Sequence, residues 1–174
     1  VCDVDDALVN ALVLAIDEAD WGVANYRKEV FPQTDTIPIH HTPLCFSCED
    51  ERAIYSIRKE PQFEKFEPLI RPILELLRRH YAFNQYAAFM ARLCPNGLIP
   101  MHHDVGVFLE TCHRVHIPLK TNPQVAYCIE DQEYYWQRGK IYEFDNTRLH
   151  GVKNRSDETR IHLVVNLYNL EAQT

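Results

Sequence analysis

The stretch His113-Arg114-Val115-His116-Ile117-Pro118-Leu119-Lys120-Thr121-Asn122-Pro123-Gln124-Val125-Ala126-Tyr127-Cys128-Ile129 decides the fold class. Two β-prone runs, 113–119 and 124–129, flank a Thr-Asn-Pro turn signal. The same rhythm continues on both sides. Strands are expected near 84–94, 99–104, 133–137, 140–144, 149–153 and 160–168. Their punctuation is Pro95-Asn96-Gly97, Arg138-Gly139 and Asp145-Asn146. Seven or eight short strands at this spacing predict a β-sandwich or barrel.

Upstream the period changes. Val4, Leu8, Leu12 and Ile16 recur every four residues, with Ala11, Ala15 and Ala19 beside them, which predicts an amphipathic helix over 3–20 capped by Asp3. A second helix is expected over 67–80, its stripe being Leu69, Ile73, Leu76 and Leu77. Pro68 and Pro72 would then fall in or near the first turn, where a missing N–H costs least. Between the helices, Pro32, Pro38 and Pro43 exclude a helix, and Thr36-Ile37-Pro38-Ile39 reads as an edge strand. Helices first and strands later suit one α+β unit over 1–174, with 1–83 as support and 84–170 as the β core.

The 174 residues suffice for one well-cored domain, and 46% hydrophobic with 25% charged residues is ordinary globular composition. A net charge of −7 argues against a nucleic-acid backbone as main partner. No apolar run approaches the ~18 residues of a membrane span, and none reads as a signal peptide. Six dispersed cysteines fit reduced thiols in a soluble, cytoplasmic protein. His40, His41, Cys45 and Cys48 form a local cluster that leaves a structural zinc site, and with it a non-enzymatic binding module, open.

His102-His103-Asp104 carries the chemistry. On a strand, residues i and i+2 face the same way, so His102 and Asp104 can offer two ligands side by side. His150, on a later strand, can close a set of two imidazoles and one carboxylate. That set binds Fe(II) on one face and leaves the other open. Were His103 the ligand, its i+2 partner would be Val105 and the acid would be lost. Arg160 opens an apolar strand ten residues after His150. A buried guanidinium needs an anion, and a carboxylate fits its fork. Arg114 and His116 share a face and can hold a second carboxylate.

These motifs resemble the aspartyl/asparaginyl β-hydroxylase family of Fe(II)- and 2-oxoglutarate-dependent dioxygenases, and are similar to bacterial free-amino-acid hydroxylases such as the proline hydroxylases. The resemblance runs through Ile99-Pro100-Met101-His102-His103-Asp104, Arg114-Val115-His116-Ile117-Pro118-Leu119, Trp136-Gln137-Arg138-Gly139-Lys140, Phe144-Asp145 with His150, and Arg160-Ile161-His162-Leu163-Val164-Val165. It covers roughly residues 84–170.

It implies a mainly β protein with N-terminal helices and a double-stranded β-helix (jelly roll) core. It implies Fe(II) at His102, Asp104 and His150, 2-oxoglutarate on Arg160 with Arg114 and His116 near it, O2 as co-substrate, and an amino-acid or peptide substrate. Arg92, His40 and Asn166 are the main candidate substrate contacts, with His41, Asn84 and Gln85 beside them. His103, His113 and His162 are expected to be structural. The alternative enzyme is a cupin-like metalloenzyme that uses no 2-oxoglutarate.

Overall fold

The chain crosses back and forth between two antiparallel sheets, and that alternation encloses the site. The structure is a computed structural model; it describes residues 3–22, 31–41 and 57–170. The strands are β1 (Thr34–His41), β2 (Arg58–Lys59), β3 (Gln85–Leu93), β4 (Leu98–His102), β5 (His113–Lys120), β6 (Val125–Ile129), β7 (Gln132–Tyr134), β8 (Tyr142–Glu143), β9 (His150–Asn154) and β10 (Arg160–Tyr168). One sheet has the order β2-β1-β3-β10-β5-β8 and the other β4-β9-β6-β7. From β3 onward the chain moves to the other sheet at nearly every connection, which is the winding of a double-stranded β-helix, or jelly roll.

Residues of one face alternate along each central strand. On β10, Leu163, Val165 and Leu167 point outward to the helices and share a core with Val115, Ile117 and Leu119 of β5. Arg160, His162, Val164 and Asn166 take the opposite face, toward the smaller sheet. All four are buried. The polar inner face of an otherwise apolar strand is what the fold reserves for chemistry.

Two helices cover the outer face of the larger sheet: α1 (Asp6–Ala15) and α2 (Phe63–Leu77). α1 starts later than its periodicity predicts. Its cap is Asp5, whose carboxylate accepts from the Ala7 and Leu8 amides at 2.8 and 3.4 Å. Asp3 instead pairs with Lys140. The helix also stops earlier, at Ala15, and residues 18–20 form a separate 3-10 turn.

α2 begins at Phe63, so Pro68 and Pro72 lie inside it rather than in the first turn. They are four residues apart and both exposed, so their missing hydrogen bonds fall on the solvent face. The buried stripe is Phe63, Phe66, Ile70, Ile73, Leu74 and Leu77, and it outweighs the propensity cost. No helix among the described residues is long and apolar enough to cross a membrane.

β1 pairs along most of its length with β3, with an irregularity between Pro38 and His40. Only its last two residues pair with β2, so it is nearly the edge strand expected from its proline. It lies before residue 84 yet belongs to the larger sheet and lines its inner face.

Candidate metal centre and cavity

β4 and β9 are neighbours in the smaller sheet, and their register sets His102 opposite His150. The two imidazole centroids are 4.3 Å apart. Each ring is aimed by its own backbone. His102 Nδ1 lies 2.9 Å from the Pro100 carbonyl, and His150 Nδ1 lies 2.8 Å from the Arg148 carbonyl. A carbonyl can only accept, so Nδ1 carries a proton in each ring and Nε2 is the nitrogen left to face a ligand. Burial pushes the pKa of His150 down to about 4, which keeps this ring neutral near pH 7.

Asp104 lies past the end of β4 rather than on a continuing strand. Its amide donates to the Asn146 carbonyl at 3.1 Å, which fixes the turn. One carboxylate oxygen, Oδ1, stands 3.6 Å from His102 Nε2. The other, Oδ2, is 3.4 Å from both Arg114 Nε and Asn146 Nδ2. Asn146 Nδ2 also donates to the Leu109 carbonyl at 2.9 Å, and Arg114 Nη1 donates to Asn166 Oδ1 at 3.1 Å. Burial opposes the charge on Arg114, but Asp104 beside it more than compensates and its pKa is raised.

His102, Asp104 and His150 offer ligand atoms that all lie within 4.8 Å of one another. Two imidazoles and a carboxylate with one oxygen tied back are the donor set of an open, facial metal site. His103 faces elsewhere, with Nδ1 2.7 Å from the Thr147 carbonyl.

The triad opens on a cavity of about 100 Å³ between the sheets. Arg160 lines it and is 2% exposed. No carboxylate pairs with Arg160 among the described residues. Its Nη2 donates to His162 Nδ1 at 2.7 Å, its Nε has no partner there, and burial lowers its pKa to about 10. It stays cationic at neutral pH and is a desolvated charge without a counter-ion among the described residues. His116 lies between Arg160 and Arg114, ringed by Tyr127, Trp136, Phe144 and His162. Neither of its ring nitrogens has a hydrogen-bond partner among the described residues. Burial, then the two guanidiniums, hold it neutral.

The structure therefore gathers His102, Asp104, His150, Arg160, Arg114 and His116 around one space. Arg114 lines that space while its Nε also faces Asp104. Arg92 lies away from the cavity, bonded to Asp35 and Glu18 at 3.0 and 2.6 Å over the Trp21 ring. His40 points to the helix side, between Phe63 and Tyr86. His41 is the one that lines the cavity, against Phe89. Asn166 holds Arg114, and Asn84 exchanges hydrogen bonds with Leu170 at the chain's far end. Gln85 accepts from the Tyr86 amide. Cys45 and Cys48, the proposed zinc thiols, lie outside the described residues.

Three contributors escaped the sequence reading. His162, set aside as structural, holds Arg160, and its i, i+2 spacing was the signal. Asn146 read only as a turn residue. Tyr127, stacked on Trp136 at 3.9 Å, lines the cavity beside Arg160. Nothing in the sequence pointed to it.

No curated protein sequence matches the chain significantly. Among solved structures it is similar to a cupin domain from Bordetella pertussis Tohama I, with 18% identity and a TM-score of 0.39 over 51% of this chain and 86% of that one. It is also similar to the DMSP lyase DddQ from Ruegeria pomeroyi DSS-3, with 15% identity and a TM-score of 0.39 over 51% of this chain and 41% of that one. A third is the cupin domain of an XRE family transcriptional regulator from Enterobacter cloacae, with 11% identity and a TM-score of 0.41 over 52% and 93%. The family model described as aspartyl/asparaginyl beta-hydroxylase matches residues 54–169, which include every residue of the triad and both arginines. The chain belongs to the aspartyl/asparaginyl β-hydroxylase family.

Proposed function

We propose that this chain, as one domain, is an Fe(II)- and 2-oxoglutarate-dependent dioxygenase that hydroxylates an amino-acid side chain, free or within a polypeptide. The observation that carries this reading is a pairing across one cavity. A two-histidine, one-carboxylate set stands on one wall, and a buried guanidinium with no carboxylate partner among the described residues lines the same space. His102, Asp104 and His150 would hold Fe(II). Arg160 would take the distal carboxylate of 2-oxoglutarate as a charge-assisted fork, offsetting the cost of its burial. Bound there, iron, 2-oxoglutarate and O2 supply the oxidant that places one oxygen atom in a C–H bond, while the 2-oxo acid becomes succinate and carbon dioxide.

The protein's own residues prepare that chemistry. The Pro100 and Arg148 carbonyls fix both imidazole tautomers. Arg114 and Asn146 tie back one oxygen of Asp104 and leave the other toward the histidines. His162 fixes the rotamer of Arg160. His116 presents two unengaged nitrogens to the cavity as a neutral polar contact. Phe89, Val152 and Val164 supply apolar walls that keep water out of the reacting space.

The test is an anaerobic titration of Fe(II)-loaded protein with 2-oxoglutarate. A weak visible charge-transfer band should appear and saturate, and it should vanish in His150→Ala. If no band forms, or if Arg160→Met binds 2-oxoglutarate as well as the parent, the reading fails.

A further inference from the structure

Phe31 lies just ahead of β1 and is 8% exposed. Its ring centroid is 4.9 Å from that of His102, tilted by 53°. It lines the same cavity as His102, His150 and Arg160. Its backbone is anchored, because its carbonyl accepts from both the amide and the hydroxyl of Thr34, at 3.1 and 2.8 Å. Among the described residues one other phenylalanine touches a ring of the triad. Phe144 meets His150 at 4.9 Å, but its ring is committed to the aromatic cluster of His116, Tyr127 and Trp136 and does not line the cavity. Phe31 is thus an electron-rich hydrocarbon ring packed against a candidate iron ligand and opening on the space where a substrate C–H bond would be presented.

We infer that Phe31 is a modification site: when no substrate fills the cavity, the enzyme hydroxylates its own Phe31 ring. The inference rests on the proposed Fe(II)/2-oxoglutarate chemistry. The balance is that of the main reaction with an aryl C–H as substrate. One O2 and one 2-oxoglutarate are consumed. One oxygen atom enters the ring C–H bond to give a phenol, the other goes to succinate, and carbon dioxide leaves. The 2-oxo acid supplies the two electrons, and the displaced ring hydrogen ends on the new hydroxyl. The product is a tyrosine-like phenol beside His102. Self-modification of this kind follows from a site that excludes water but not its own wall. A bound substrate would suppress it by standing between Phe31 and the metal.

The experiment incubates the full chain with Fe(II), 2-oxoglutarate and 18O2 without added substrate, then maps peptides by tandem mass spectrometry. The expected result is one labelled oxygen atom on Phe31, absent when 2-oxoglutarate is omitted. No labelled peptide covering position 31 should appear in Phe31→Leu. Localisation to the residue separates this from oxidation of Met101 or Met90. The same preparation is titrated anaerobically with 2-oxoglutarate. Binding without labelled Phe31, or label on Phe144, Ile99 or a methionine instead, overturns the assignment and leaves the proposed function standing. Failure to bind 2-oxoglutarate overturns both.

Discussion

Replacing Arg160 with methionine should make the ligand-free protein more stable and nearly blind to 2-oxoglutarate. The guanidinium is held at about 10 instead of 12.5, chiefly by burial. At about 1.4 kcal/mol per pKa unit, keeping it charged costs the fold roughly 3 kcal/mol. Methionine removes that cost and keeps an unbranched apolar chain in the same space. It also leaves His162 Nδ1 without its donor at 2.7 Å, a loss of about 1–2 kcal/mol. The net expectation is a gain on the order of 1–2 kcal/mol. Binding moves the other way, since deleting one partner of a buried charge-assisted pair costs about 2–5 kcal/mol. That corresponds to a roughly 30- to 4,000-fold weaker 2-oxoglutarate affinity. The assay is urea denaturation of the metal-free protein, paired with calorimetric titration of 2-oxoglutarate into the metal-loaded protein. A variant that is clearly less stable than the parent, yet binds 2-oxoglutarate equally well, would show that Arg160 is a structural cation.

Asn146→Ala removes a donor to Asp104 Oδ2 and should weaken metal binding about 10- to 100-fold, as measured by competition with a chelating dye. At Gly151 an added Cβ would meet the Ile99 carbonyl at 2.7 Å and Met101 Sδ at 3.0 Å. Gly151→Ala should therefore push β4 from β9, separate His102 from His150 and lower both metal affinity and melting temperature. Metal-free protein should lose stability in acid. His116, His162 and His150 have folded pKa values below their ordinary value, with burial the first cause in each case. The unfolded chain therefore takes up protons first, and stability is complete above about 6.5 and falls below it. The slope approaches about 1.4 kcal/mol per pH unit for each group. For His150 the loss continues down to about pH 4. Urea denaturation between pH 7 and 5 reads it, and a flat profile would mean that these rings take up protons in the folded protein as readily as in the unfolded chain.

The strand runs were legible because alternation and turn residues are local signals. β5, β6 and β10 lie within a residue of their predicted ranges. The His102–Asp104 pair was legible for the same reason, although β4 ends before Asp104. What the sequence hid is set by register between distant strands. Asn166 stands opposite Arg114 only because β10 pairs with β5, and Arg114 reaches Asp104 only because the two sheets face each other. His40 and His41 differ by one position and point to opposite faces, so adjacency in sequence overstated their likeness. Pro68 and Pro72 misplaced the start of α2, because a strong apolar stripe overrides two prolines that both face solvent.

The measurement that bears most directly on the account is O2-dependent turnover of 2-oxoglutarate by the purified chain, followed as succinate. Succinate should require Fe(II) and be abolished by Asp104→Ala, His150→Ala and Arg160→Met. Undiminished succinate in those three variants, or none from the iron-loaded parent in the presence of amino-acid and peptide substrates, would contradict it.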